Sequence, residues 1–218
     1  MRISTFSLAV ILFFFIGAVS ANGNKLESIG AFTDQSASQS LRDSLEPAGN
    51  RVILEDGNAL CDIWLRKAIA VGAKSEVQGA IYTDLSESAL IGVITFAKPA
   101  TDFRGQGIKA GTYTIRYALH PVDGNHLGIS PIRDFFVLIP VAVDQNPDGK
   151  YKFEELMKMS IQASGTNHPA VLSLVTAEGG GPSVKADDHN HIIFSAKAKT
   201  SSGSELPLSF VVKGIAEQ

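Results

Sequence analysis

Histidines are the side chains here whose chemistry is most open. His120 and His126 bracket the phrase His120-Pro121-Val122-Asp123-Gly124-Asn125-His126, and His189 and His191 sit in Asp187-Asp188-His189-Asn190-His191. The fifth, His168, lies in Gly165-Thr166-Asn167-His168-Pro169. Imidazole nitrogens with carboxylates nearby suit zinc, copper or iron. Were the turns that hold them gathered at one end of a fold, His120, His126, His189 and His191 would form a transition-metal site, with Asp123 or Asp187 as base. Their spacing follows no established pattern such as H-E-x-x-H, and one cysteine cannot supply C-x-x-C. The competing reading makes them solvated turn or capping residues.

A second group lies between Asp144 and Glu155, D-Q-N-P-D-G-K-Y-K-F-E-E. Over these 12 residues the chain resembles the calcium loop of the EF-hand family. The resemblance implies oxygen ligands from Asp144, Asn146 and Asp148, from the Lys150 carbonyl, and from Glu155 as a bidentate carboxylate, with Gly149 at the sharp turn. Calcium held there would be a structural clip. The phrase departs from the family pattern in four ways: a strand precedes it, Pro147 interrupts it, Tyr151 replaces the customary aliphatic residue, and Lys152 brings a positive charge where an oxygen is usual. The alternative is a polar loop of Asp and Asn side-chain turns, with Asp148 helping to cap a following helix.

No other constellation rises above chance. There is no G-x-S-x-G elbow. The single cysteine, Cys61, cannot form an intramolecular disulfide, and it falls in phase with Ala59, Ile63 and Leu65, as a small core hydrophobe would. Trp64 lies on the opposite face of that strand. It reads as packing against a helix or, if exposed, as a stacking platform for a sugar ring.

The elements that must position these residues are mostly strands. Arg51–Glu55 and Asn58–Lys67 flank Asp56-Gly57, a tight-hairpin signal. Val77–Thr83 and the nearly continuous apolar run Ala89–Phe96 follow. Thr112–His120 alternates best, with Tyr113, Ile115, Tyr117 and Leu119 facing one way and Thr114, Arg116 and His120 the other. Phe135–Val143 contains Pro140, which implies an edge or a bulge. Phe153–Ala163 alone has helical spacing, through Phe153, Leu156, Met157 and Ile161. Strands resume at Ala170–Thr176, His191–Lys199 and Leu206–Ile215. Short strands at this spacing predict a mainly β fold, a single Greek-key-like β-sandwich with one α-helix near 153–163.

The N-terminus reads as an export signal. Arg2 precedes the apolar run Leu8–Val19, and small residues at Ala18, Ser20 and Ala21 fit cleavage after Ala21 or one residue earlier. That run is shorter than the ~20 residues a membrane-spanning helix needs. The sequence thus divides into a signal peptide at 1–21, a polar, flexible lead-in at 22–49 with a short helical turn around Leu41–Leu45, and a β-sandwich domain at 50–218. Net charge is −3 for the whole chain and −4 once Arg2 is removed, without a basic patch. Nucleic acid and anionic membranes are therefore poor partner expectations.

Phe103 to Tyr117 contains Lys109-Ala110-Gly111-Thr112-Tyr113. This phrase resembles the K-x-G-T-Y strand of uncharacterised exported bacterial β-sandwich proteins. The resemblance implies secretion and a β-sandwich and carries no substrate. Three functional readings follow. The first is a periplasmic or secreted, non-catalytic binding or accessory protein for a small molecule, glycan or protein, with or without the calcium clip. The second is a histidine-based metalloenzyme or metal-binding protein. The third is a structural subunit of an envelope or extracellular assembly.

Overall fold

Strand β7 (Gly111–Leu119) sets the architecture. Its Tyr113, Ile115 and Tyr117 point into one apolar core, while Thr114, Arg116 and Ala118 point to the other face. The computed structural model describes residues 23–72, 77–121 and 132–214. The expected signal peptide and His126 lie outside these residues. The described part is mainly β, with 42% strand and 10% helix.

β7 belongs to a seven-stranded antiparallel sheet that also contains β1 (Lys25–Ile29), β2 (Gly49–Ile53), β3 (Ala59–Leu65), β4 (Leu90–Phe96), β8 (Asp134–Pro140) and β9 (Val171–Ser173). The spatial order is β1-β2-β3-β4-β7-β8-β9. A two-residue ribbon, β5 (Ala100–Thr101) with β6 (Gly107–Ile108), fills the β4–β7 connection. A second sheet, β10 (Ser183–Ala186), β11 (Ile192–Lys199) and β12 (Glu205–Lys213), packs against the first.

Alternation produces the sandwich core. Cys61, Ile63 and Leu65 of β3, Phe136 and Leu138 of β8, and Phe194, Phe210 and Leu208 of the second sheet share one cluster. Each fully buried side chain of this size contributes about 1.5–3 kcal/mol. The Leu174–Phe210 bridge and the bond from Val175 N–H to Ser209 O (3.1 Å) join the sheets along one side.

The outer face of the large sheet is covered in two separate patches. Helix α1 (Gln39–Asp43), capped by the Ser38 hydroxyl, brings Leu41 and Leu45 against Trp64, Leu90 and Val93. Helix α2 (Phe153–Ser164) lays Phe153 and Leu156 on Phe135, Val137 and Ile139. No described helix is long and apolar enough to cross a membrane.

Several expectations are corrected. The segment read as a flexible lead-in supplies β1, which pairs with β2 from Lys25–Ile53 to Ile29–Gly49, so the sheet begins well before Asn50. Its alternation is masked by polar residues because an edge strand buries little of either face. Val77–Thr83 is not a strand. The backbone N–H groups of Ile81 and Tyr82 donate to the buried Asp134 carboxylate (2.9 and 2.7 Å), which replaces ladder bonds with a side-chain anchor. Strand neighbours within each sheet follow chain order, and the Leu174–Phe210 bridge sets β12 beside β9, so the last four strands run β9-β12-β11-β10, the Greek-key-like order expected. Pro140 ends β8 opposite Tyr113, beyond the three residues of β9, where its missing N–H costs no ladder bond. The helix occurs where expected, but its buried stripe runs through Phe153, Leu156, Ser160 and Ala163. Ile161 is only partly buried. Around Asp56-Gly57 the chain turns as expected, with Gly57 at φ +80° and its N–H bonded to Leu54 O (2.9 Å).

Candidate functional site

Between the two apolar patches of the outer face sits Arg116, wholly buried. Strand alternation delivers it there, two residues from Thr114 on the same side. A buried guanidinium must place its charge and five N–H donors, or the desolvation cost is prohibitive. Here all five are used. Nε and Nη2 donate to the Asp144 carboxylate (2.5 and 2.8 Å), Nη2 also to Asn146 O (2.6 Å), and Nη1 to Ser88 O and Gly149 O (2.7 and 3.1 Å). Asp144 is equally buried and accepts further bonds from the Thr114 hydroxyl (2.6 Å) and the Tyr151 hydroxyl (3.2 Å). The Tyr151 ring packs on the guanidinium at 4.9 Å.

The segment that resembles a calcium loop is therefore wrapped around a guanidinium. Asp144 and the Asn146 carbonyl face Arg116. The Asn146 side chain accepts from Asp148 N–H (3.0 Å), while Asp148 pairs with Arg66, whose guanidinium also donates to Pro147 O (2.8 Å). Glu155 accepts from Lys152 N–H (2.8 Å), closing the first turn of α2. Asp148 is thus an ion-pair partner and not the helix cap, a position held by Lys152. Lys150 is exposed.

Ser88 completes the arrangement. It holds a left-handed backbone (φ +61°), which costs a non-glycine residue about 1–2 kcal/mol. In return its carbonyl reaches Arg116 and its hydroxyl accepts from Tyr151 N–H (3.1 Å). Strain of this kind concentrates at functional sites. Segments 66–71, 86–90 and 147–152 enclose an open cleft of about 580 Å³ over this cluster, with Ala70, Val71, Leu90 and Tyr151 among its apolar lining. Burial, and then the neighbouring Asp144 carboxylate, push the Tyr151 phenol above its ordinary pKa.

The histidines separate. His120 lies on the α2 side, its ring 4.7 Å from Phe135 and 6.2 Å from Phe153. His189 and His191 sit before β11 of the other sheet, their rings 5.8 Å apart. His191 is buried. Its Nδ1 meets Asp187 (2.9 Å), while its Nε2 has no hydrogen-bond partner among the described residues. Burial opposes ionisation of Asp187, but bonds from His191 and His189 hold its pKa below the usual carboxylate range. His168 is exposed in the turn after α2. Among the described residues no group of three or more His, Cys, Asp or Glu could hold a metal ion.

Cys61 is buried, and burial raises its thiol pKa well above the ordinary value. Trp64 is buried too, its indole N–H on Gly30 O (2.8 Å) and its ring 5.1 Å from Phe32, so it is a packing residue. The Lys109–Tyr113 phrase has a local reason: the Tyr113 hydroxyl turns back to donate to Lys109 O (2.8 Å), and Lys109 N–H bonds Ala163 O at the end of α2 (3.1 Å). Sequence reasoning missed Ser88 and Arg66, and set Arg116 on the face away from Tyr117 without marking it as buried. The one available signal was an arginine in the interior of the best-alternating strand. No protein-family description, curated protein or solved structure matches the chain.

Proposed function

We propose that this chain is an exported, non-catalytic binding protein that captures its ligand in the cleft between segments 66–71, 86–90 and 147–152. The observation that carries this reading is the buried Arg116–Asp144 clamp beneath the cleft. It ties Ser88, Asn146 and Gly149 into one rigid wall, so the cleft is preformed, and preformed sites lose little entropy on binding. The polar groups around it are committed to holding shape: Asp144 to Arg116, Ser88 to Tyr151, Glu155 to the Lys152 amide. That pattern suits recognition better than proton transfer. Export rests on the N-terminal apolar run and its small-residue cleavage site.

Two measurements test it. N-terminal sequencing of protein secreted from an exporting host should begin at Asn22; retention of the uncleaved chain inside the cell would remove export from the proposal. Amide-shift mapping of residues 22–218 against a collection of small peptides, saccharides and carboxylic acids should move Ala70, Ser88 and Tyr151 together. Ala70→Trp, which fills the cleft, should abolish those shifts; shifts that persist would place binding elsewhere.

A further inference from the structure

The cleft presents charges of both signs around an apolar floor. Arg66 and Asp148 neutralise each other at one end. The remaining charged groups are the ammoniums of Lys150 and Lys152, on the loop side, and the carboxylate of Glu87, on the 86–90 side. All three residues are exposed, and none has an ion-pair partner among the described residues. The two sides meet where the Ser88 hydroxyl accepts from Tyr151 N–H, and Ala70, Val71, Ala89 and Leu90 add apolar lining. The strained turn at Ser88 fixes the neighbouring Glu87, and the guanidinium-bound loop fixes Lys150 and Lys152. Lysine ammoniums and a glutamate carboxylate bordering one cleft can recognise a ligand by two opposite charges at once.

From this we infer that the ligand is a short zwitterionic peptide with an apolar side chain, an inference that rests on the cleft being the binding site. Its terminal carboxylate meets Lys150 and Lys152, its terminal ammonium meets Glu87, and its side chain covers the Ala70–Leu90 floor. A neutral sugar would leave the charges unused. A fatty acid would satisfy the lysines but leave its chain against Glu87.

Calorimetric titration with the tripeptide Ala-Leu-Ala and its end-blocked forms tests this. Acetylating the amino end should weaken binding about fivefold in the wild type and have little effect in Glu87→Gln. Amidating the carboxyl end should weaken it about fivefold in the wild type and little in Lys150→Ala/Lys152→Ala. Equal affinity for free and blocked peptides overturns the inference, as does the absence of binding at about 1 mM peptide. If peptides fail but another compound binds and is lost in Ala70→Trp, the cleft stands as the site and only the peptide class falls. If free peptide still binds Ala70→Trp, both fall.

Discussion

At the residue scale the molecule turns on one ion pair. Arg116 and Asp144 are wholly buried, and each leaves an uncompensated charge if the other is removed. Arg116→Ala or Asp144→Ala should cost about 3–5 kcal/mol in urea unfolding. The double replacement Arg116→Met/Asp144→Leu should cost less than either single change, because no stranded charge remains. Free guanidinium at low, non-denaturing concentration should raise the melting temperature of Arg116→Ala and leave the wild type unchanged, since only the variant has the oxygen-lined space to fill. Calcium in place of guanidinium separates a general cation site from one shaped for a planar fork.

At the element scale the N-terminal segment is part of the sheet. Deleting residues 22–30 removes β1 and the Gly30 carbonyl that holds the indole of Trp64. Stability should fall by about 2 kcal/mol, and the emission of this sole tryptophan should shift to the red. An unchanged spectrum would show that β1 contributes nothing to the packing there. This is also where the sequence was hardest to read. Strands β3, β4, β7 and β8 bury alternate or continuous apolar positions, so their pattern announces them. An edge strand such as β1 leaves no such trace, and neither do Val77–Thr83, whose backbone is held by Asp134. The candidate site was legible only in half. The oxygen-rich loop at 144–155 was visible as a cation-binding phrase, but its partner lies 28 residues upstream on another element, and single-sequence patterns do not report contacts at that range. The alternation of β7 put Arg116 on the face away from Tyr117, which is correct; that this face is covered depends on the 144–152 loop folding over it.

At the scale of the whole molecule, all four tyrosines are held above their ordinary pKa, each first by burial. For Tyr82 the value is pushed up to about 12. Its unfolded value is about 10, so the fold favours the neutral phenol. The resulting stability is complete below about pH 10 and is lost as pH rises through the folded value. Phenolate absorbance should therefore stay low in the native protein past pH 10 and then rise with the loss of tertiary circular dichroism. An early phenolate signal from intact protein would show that the tyrosines are more open than this packing implies.

Cys61, sealed in the sandwich core, gives the molecule a timekeeper. A thiol that solvent cannot reach stays chemically silent for as long as the sheets remain closed. When they part, it becomes the one atom able to couple two chains, and nothing within a single chain competes for it. In oxidising surroundings each opening is then a chance of permanent pairing. How long a chain stays uncoupled is set by how seldom it opens, which is a barrier height and not an equilibrium constant.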